Sequence, residues 1–437
     1  MNVRSQFLLL LGAGILATLL HREQQRGTFE IFDRRHREFL KANPGATEWR
    51  SLAEKPQVVL ARLDDPDLPA AQRTFDAWPP LPDEWQVLFQ NIRDYAPAAV
   101  AVGLPLRVET PSAGFVAAAA AVPGLTLGLF AESTRASGTP PLVLPPAVAV
   151  LRAQGPVSGI PVFDRLTVSG MEVRQAVSEV DLGQKVTMEG DWCRVPLLAR
   201  TGTQVVPTLA LQALLTWNGT PLESIMVQTG TAIRGPKGMV IPIDEEGCFR
   251  FYVPLAPPAE SVSADDFLFP KTQAETLYTS GTPERAALEK VRGSLLWVGA
   301  DDRASRLLKL PDGNTASPAD LITRALTAIQ TGRFMRPLEP AWQIVTLTAA
   351  VLLGCWMTRW RRWNLAKGLL IASLSFGMAS LLAFQSSHTW IPLAPALIQL
   401  AAFLFVGLLI PRPAPPENPK TQPFPLNPPH EPAHRYR

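Results

Sequence analysis

Four apolar runs, one at the start of the chain and three near its end, constrain the fold more than any other feature. They are residues 5–20 (SQFLLLLGAGILATLL), 341–357 (AWQIVTLTAAVLLGCWM), 368–384 (GLLIASLSFGMASLLAF) and 389–410 (TWIPLAPALIQLAAFLFVGLLI). A membrane-spanning helix needs about 20 mostly apolar residues, so they read as one N-terminal and three C-terminal transmembrane helices. Pro392 and Pro395 fall near one end of the longest run, where a membrane helix tolerates them. Trp342, Trp356, Trp360, Trp363 and Trp390 gather at the run ends, as an interfacial aromatic belt requires. A fifth uncharged stretch, 112–130, is broken by Pro123 and Gly124 and reads as helix, turn and strand. Gly12, Gly14 and Ala17 form G-x-G-x-x-A inside an apolar run, where small residues suit helix packing rather than a nucleotide.

Orientation follows from the loops. TRWRRWNLAK (358–367) holds Arg359, Arg361, Arg362 and Lys367, whereas QSSHTW (385–390) holds no basic lysine or arginine. The positive-inside rule places the first loop in the cytoplasm and the second outside. No A-x-A-like site closes the first run, so an uncleaved anchor is expected. The resulting division is an anchor at 1–20, an extracytoplasmic domain at 21–340, a three-helix membrane region at 341–410 and a cytoplasmic tail at 411–437.

Composition removes several functions. Lys+Arg 41 against Asp+Glu 38 leaves a net charge of +3, too small a field for a nucleic-acid partner. The five histidines are His21, His36, His388, His430 and His434, so none lies between 37 and 387. A Ser–His–Asp or Cys–His enzyme housed there has no base, and a histidine-built metal site has no ligands. Cys193, Cys248 and Cys355 form no C-x-x-C; Cys193 and Cys248 read as buried small hydrophobes, with an extracytoplasmic disulfide as the other option. HEPAH (430–434) matches H-E-x-x-H, but Pro428, Pro429 and Pro432 oppose the helix that zinc binding requires. No catalytic residue, metal or cofactor is expected.

In residues 21–340, TFEIFDRRHREFLKAN (28–43) predicts a helix continuing from the first span, with Phe29, Phe32, Phe39 and Leu40 on one face and charges on the other. The stretches 56–65 and 97–106 predict buried strands, and 82–96 a helix starting at Pro82 with Trp85, Leu88 and Ile92 inward. Further on, the pattern predicts a strand at 193–200, a helix at 205–219, a hairpin at 239–254 turning at Glu245–Gly247, a helix and strand at 286–302, and a helix at 318–332. Strands alternating with helices at this spacing imply an α/β domain with a mainly parallel sheet and flanking helices.

Four segments together resemble the second type of CHASE domain, an extracytoplasmic sensor associated with cyclases and histidine kinases. They are VVLARLDD followed by a WPP turn, CRVPLLARTGTQVVPTLAL, IPIDEEGCFRFY, and LLWVGA leading to TGRFMRP. The likeness covers residues 21 to about 410, including one anchor before the block and three spans after it. It implies a sensor domain of unknown ligand in a bacterial cytoplasmic membrane, with a large periplasmic or extracellular domain. The chain differs from the family pattern at Gly103, at Ile322 and in DDRASRLLKLP, and carries no cyclase or kinase segment.

Carboxyl ends of parallel strands are where α/β sheets bind ligands. Asp64, Asp65 and Asp67 follow one predicted strand, and Asp301 and Asp302 follow another. If those strands are neighbours, the acids converge on one rim suited to a hard cation, an amine or a sugar; turn and helix-cap chemistry is their other reading. The tail 411–437 has ten prolines and favours polyproline II, a form that protein partners bind. The expected function is a membrane-anchored sensor without an effector of its own, relaying a signal to partner proteins through the membrane helices or the tail. The alternative is a non-catalytic envelope assembly factor that uses the α/β block to bind protein.

Overall fold

The computed structural model describes residues 3–26, 28–42, 57–63, 75, 80–106, 111–132, 142, 144–146, 148–167, 173–180, 186–278, 282–300, 307–338, 340–357 and 362–409. The helices are α1 (Val3–Gln25), α2 (Glu30–Ala42), α3 (Pro82–Asp94), α4 (Ala113–Ala121), α5 (Leu209–Trp217), α6 (Lys271–Leu277), α7 (Pro283–Glu289), α8 (Pro318–Thr331), α9 (Pro340–Met357), α10 (Arg362–Ser387) and α11 (Ala394–Leu409). The first ten strands are β1 (Val58–Leu63), β2 (Ala99–Pro105), β3 (Leu125–Glu132), β4 (Arg152–Gln154), β5 (Arg165–Thr167), β6 (Arg174–Val180), β7 (Thr187–Glu189), β8 (Trp192–Pro196), β9 (Leu198–Thr201) and β10 (Gln204–Pro207). The others are β11 (Met226–Gln228), β12 (Ala232–Arg234), β13 (Val240–Pro242), β14 (Cys248–Tyr252), β15 (Glu260–Ser263), β16 (Leu295–Ala300), β17 (Leu308–Lys309), β18 (Thr315–Ala316), β19 (Arg336–Pro337) and β20 (Thr389–Trp390). Two compact units result: a helical unit (1–36, 339–380 and 392–437) and an α/β unit (37–338 and 381–391).

The α/β unit is built on a sheet ordered β15-β1-β16-β2-β3, extended by β5 and β6. All its pairings are parallel except β3 with β5. Alternate residues of each strand face opposite sides, so a sheet covered on both faces needs apolar residues at nearly every position. Val58, Leu60, Ala99, Ala101, Leu295 and Trp297 join one core with Leu214 of α5 and Leu321 and Ala325 of α8. The residues between them, Val59, Ala61, Val100, Val102, Leu296 and Val298, join the other core with Trp85, Phe89 and Ile92 of α3 and Phe115 of α4. The stretch 112–130 is α4 and β3, with the Ser112 hydroxyl capping α4 by accepting from the Phe115 amide at 3.1 Å. Gly332, at φ 68°, stops α8 in the left-handed conformation that suits glycine.

Four sequence expectations need correction. Residues 193–200 are two strands, because Pro196 lacks an amide to continue the ladder and Leu197 redirects the chain. Residues 204–207 form β10, a hairpin with β9 around Gly202 and Thr203, before α5 starts at Leu209. The segment 239–254 does turn at Gly247, but β13 pairs with β12 and β14 with β8, so it links two sheets rather than forming a hairpin. Helix α2 is separate from α1, and its faces divide differently: Leu40 is buried together with Asp33 and Arg37, while Phe32 and Phe39 are exposed with Ile31.

The runs 5–20, 341–357 and 368–384 lie within helices α1, α9 and α10, whereas the run 389–410 opens with strand β20 and is helical only from Ala394. Ala13 and Ala17 of α1 pack with Val351 and Cys355 of α9 and Phe403 of α11. A side chain at Gly354 would collide with the Phe403 ring, so that glycine sets the close approach of α9 and α11. Among the described residues a Cβ at Gly12 or Gly14 would meet nothing within 4 Å, whereas Ala17 packs against this cluster. Among the described residues, one helix, Ala366–Ser386, is long and apolar enough to cross a membrane; Ala341–Trp356 and Ala394–Phe403 are shorter apolar helices.

Candidate functional site

The strands that carry the two acidic segments are neighbours. β1 pairs with β16 in parallel along its whole length, and the last pair, Leu63 with Ala300, puts both carboxyl ends side by side. Asp64, Asp65, Asp67, Asp301 and Asp302 themselves lie outside the described residues, as does the proline-rich tail. What the structure does place at this end is a cation. Arg62 extends from β1 to Asp320 of α8, with Nη2 to Oδ1 at 2.8 Å. Asp320 is at the same time the third residue of a capping box: its amide donates to the Ser317 hydroxyl, and its Oδ2 accepts from the Ser317 amide. A helix N-terminus with its outward N–H groups therefore stands beside the strand ends, close to the geometry that binds anions. Ala319 lies so near Gly299 that a Cβ there would sit 3.0 Å from the Ala319 methyl group. The rim thus combines Arg62, a helix start and glycine, features that a search for acids alone missed; the S-P-A-D sequence at 317–320 was the available signal.

A second constellation was not anticipated. Arg37, from α2, is fully buried and pairs with the buried Asp191 at 3.3 Å. Its guanidinium carbon lies 5.0 Å from the centre of Tyr252, 5.1 Å from Trp390 and 5.7 Å from Trp192. Trp192 and Tyr252 come from the paired strands β8 and β14 and are register partners. Trp390 comes from β20, which runs parallel to β19 between α10 and α11. The Tyr252 hydroxyl donates to Glu38 Oε1 at 2.9 Å, and burial, reinforced by that bond, pushes the phenol well above its ordinary value. Leu40, Met335 and Phe384 complete the apolar surround. A weakly hydrated planar cation stacked on aromatic faces is the kind of charge a protein can bury, provided its partner stays ionised.

The same β7-β8-β14 sheet carries a charged edge. Arg194 Nη2 reaches Asp244 at 2.7 Å and Glu246 at 2.9 Å, and Arg250 Nη2 reaches Glu189 at 3.1 Å. Asp244 Oδ1 also accepts from the amides of Glu246 and Cys248, which fixes the turn of IDEEGC. The motif is thereby a structural one: acid, turn and strand are held by a single carboxylate. Cys193 and Cys248 are both free and buried. They sit on antiparallel neighbours, but Cys193 is opposite Phe251, three residues from Cys248, an offset of about 10 Å that no disulfide bridges. Burial pushes both thiols up, that of Cys248 to about 12.

Among the described residues no group of three or more His, Cys, Asp or Glu could hold a metal ion. No family model matches the chain, and neither a curated protein nor a solved structure matches it.

Proposed function

We propose that this chain is a multi-pass membrane protein whose α/β unit faces the extracytoplasmic side as a ligand sensor. It would carry no catalysis of its own and pass its signal to partner proteins through its apolar helices or the tail. The likeness to the second type of CHASE domain supports this reading, as does the parallel sheet with the ends of β1 and β16 adjacent. The observation that carries it is the Arg37 cluster. Segments that lead into and out of the apolar helices (α2, the stretch around Met335, and the α10–α11 connection) meet the sensor strands β8 and β14 around one buried cation. A change in how β8 and β14 pack is then felt by every one of those segments.

The test has two readouts. Reporter fusions at residue 250 should be active only outside the cytoplasm, and fusions after residue 437 only inside. With the full chain in lipid, a screen of divalent cations, amines and sugars should find a compound that raises the melting temperature, and Asp64→Asn with Asp301→Asn should abolish the shift. A cytoplasmic residue 250 would reject the sensor reading. A screen with no shift that the double variant removes would reject the acidic rim as the ligand site.

A further inference from the structure

Helix α2 is built inside out. Residues on opposite faces of a helix follow a period of 3.6, and here the face formed by Asp33, Arg37 and Leu40 is buried. The opposite face carries Ile31, Phe32 and Phe39, which are 73%, 70% and 54% exposed. From Leu40 to Leu338, the most exposed large apolar side chain among the described residues is Val150, at 47%. The values on α2 instead match those on the apolar helices, such as 66% for Leu374 of α10. The buried polar groups on the inner face have been given partners: Asp33 accepts from Gln24 at 2.5 Å, and Arg37 has Asp191 and its three rings. Satisfying charges inside while turning phenylalanines outward is the arrangement suited to an apolar medium outside the helix.

We infer that the outer face of α2 lies on the membrane surface, with Ile31, Phe32 and Phe39 in the boundary between headgroups and acyl chains. Three observations select lipid as the occupant. The exposed cations Arg34 and Arg35 alternate with the apolar residues and suit anionic headgroups, while Lys41 is paired with Glu38 at 3.8 Å. Arg35 lies within the apolar stripe, on a stem long enough to reach outward to phosphate. The face is also continuous in sequence with the exposed Leu11, Ile15 and Leu19 of α1, and the Thr28 hydroxyl bonded to Glu23 at 2.7 Å holds the turn that joins the two helices. The inference deepens the membrane-anchored reading above and rests on it.

Photocrosslinking of the full chain tests it. Benzoylphenylalanine is placed singly at Phe32, Ile15 or Val150, and the protein is reconstituted in vesicles of phosphatidylcholine and phosphatidylglycerol. Lipid adduct at Phe32 should be within about threefold of that at Ile15 and at least about tenfold above that at Val150. Adduct at Phe32 no higher than at Val150 overturns the inference. A crosslinked dimer through Phe32 overturns it as well, assigning the face to a second copy. Adduct at Ile15 but not Phe32 rejects only this inference, whereas the absence of adduct at both positions rejects the α1 anchor too. Adduct at Phe32 without adduct at Ile15 keeps the surface docking and discards the span.

Discussion

Helices α2 and α3 have the same length, 13 residues, and both are amphipathic, yet they resolve the two faces in opposite ways. α3 follows the rule for a helix in water: Trp85, Leu88, Phe89 and Ile92 are buried, while Asp83, Glu84, Arg93 and Asp94 lie at its ends and outside. α2 buries an aspartate and an arginine and leaves two phenylalanines outside. By area, turning one phenylalanine out of an apolar environment into water costs about 1.5–3 kcal/mol, and burying an ion costs several more before its partners repay it. The contrast teaches that amphipathicity fixes that a helix has two faces, and that the medium and the available partners decide which one goes in.

The contrast breaks first at the aromatic residues. Trp85→Ala in α3 should lower stability by about 3–5 kcal/mol, measured by chemical denaturation of the full chain in detergent. Phe32→Ala in α2, under the same conditions, should stay within about 0.5 kcal/mol of the parent. Equal losses at the two positions would mean that α2 is an ordinary amphipathic helix with its apolar face covered.

The charges sharpen it next. Arg37→Leu leaves Asp191 buried without its cation and should cost about 3 kcal/mol or more. Adding Asp191→Leu should recover most of that loss, because two apolar residues no longer strand a charge. If the double variant is as unstable as the single one, the value of Arg37 lies in its stacking on Trp192, Tyr252 and Trp390 rather than in the pair.

Much of α3 could be read from its sequence, because Pro82 marks its start and every apolar residue that matters falls on one face. The strands β1, β2 and β16 were equally open to reading, since both faces of a covered parallel sheet demand uninterrupted apolar runs. The pattern of α2 fits either orientation: the sequence shows which residues share a face but not Asp191, which lies 154 residues beyond Arg37. The split between β8 and β9, and the separate partners of β13 and β14, depended on Pro196 and on pairings between distant strands. At the candidate site, the adjacency of the two strand ends was a condition that only the topology could meet. Arg62 escaped notice because one arginine in a strand has no motif.

Smaller effects separate caps from cores. Ser317→Ala removes the acceptor for the Asp320 amide at the start of α8 and should cost about 1 kcal/mol, with a matching loss of any ligand response that depends on Arg62 and Asp320. The smallest effect concerns pH. Burial raises the Asp266 carboxyl above its ordinary 3.8, while the Tyr278 hydroxyl, itself held up to about 12 by that hydrogen bond, opposes the rise. The folded chain therefore holds this proton more tightly than the unfolded chain. The resulting stabilisation is fully present below 3.8 and is lost as pH rises through the raised folded value. Melting temperatures measured between pH 3 and 7 on wild type and Asp266→Asn should show that slope only in the wild type.

The cage around Arg37 also imposes an order on biosynthesis. Arg37 leaves the ribosome long before Trp390, one of the three rings that cover it. At about 5–20 residues per second, the arginine waits on the order of tens of seconds for that ring. During this interval Asp191, Trp192 and Tyr252 are already made, and the cage lacks its Trp390 wall. The complete cage therefore forms only once the chain has been translated past β20.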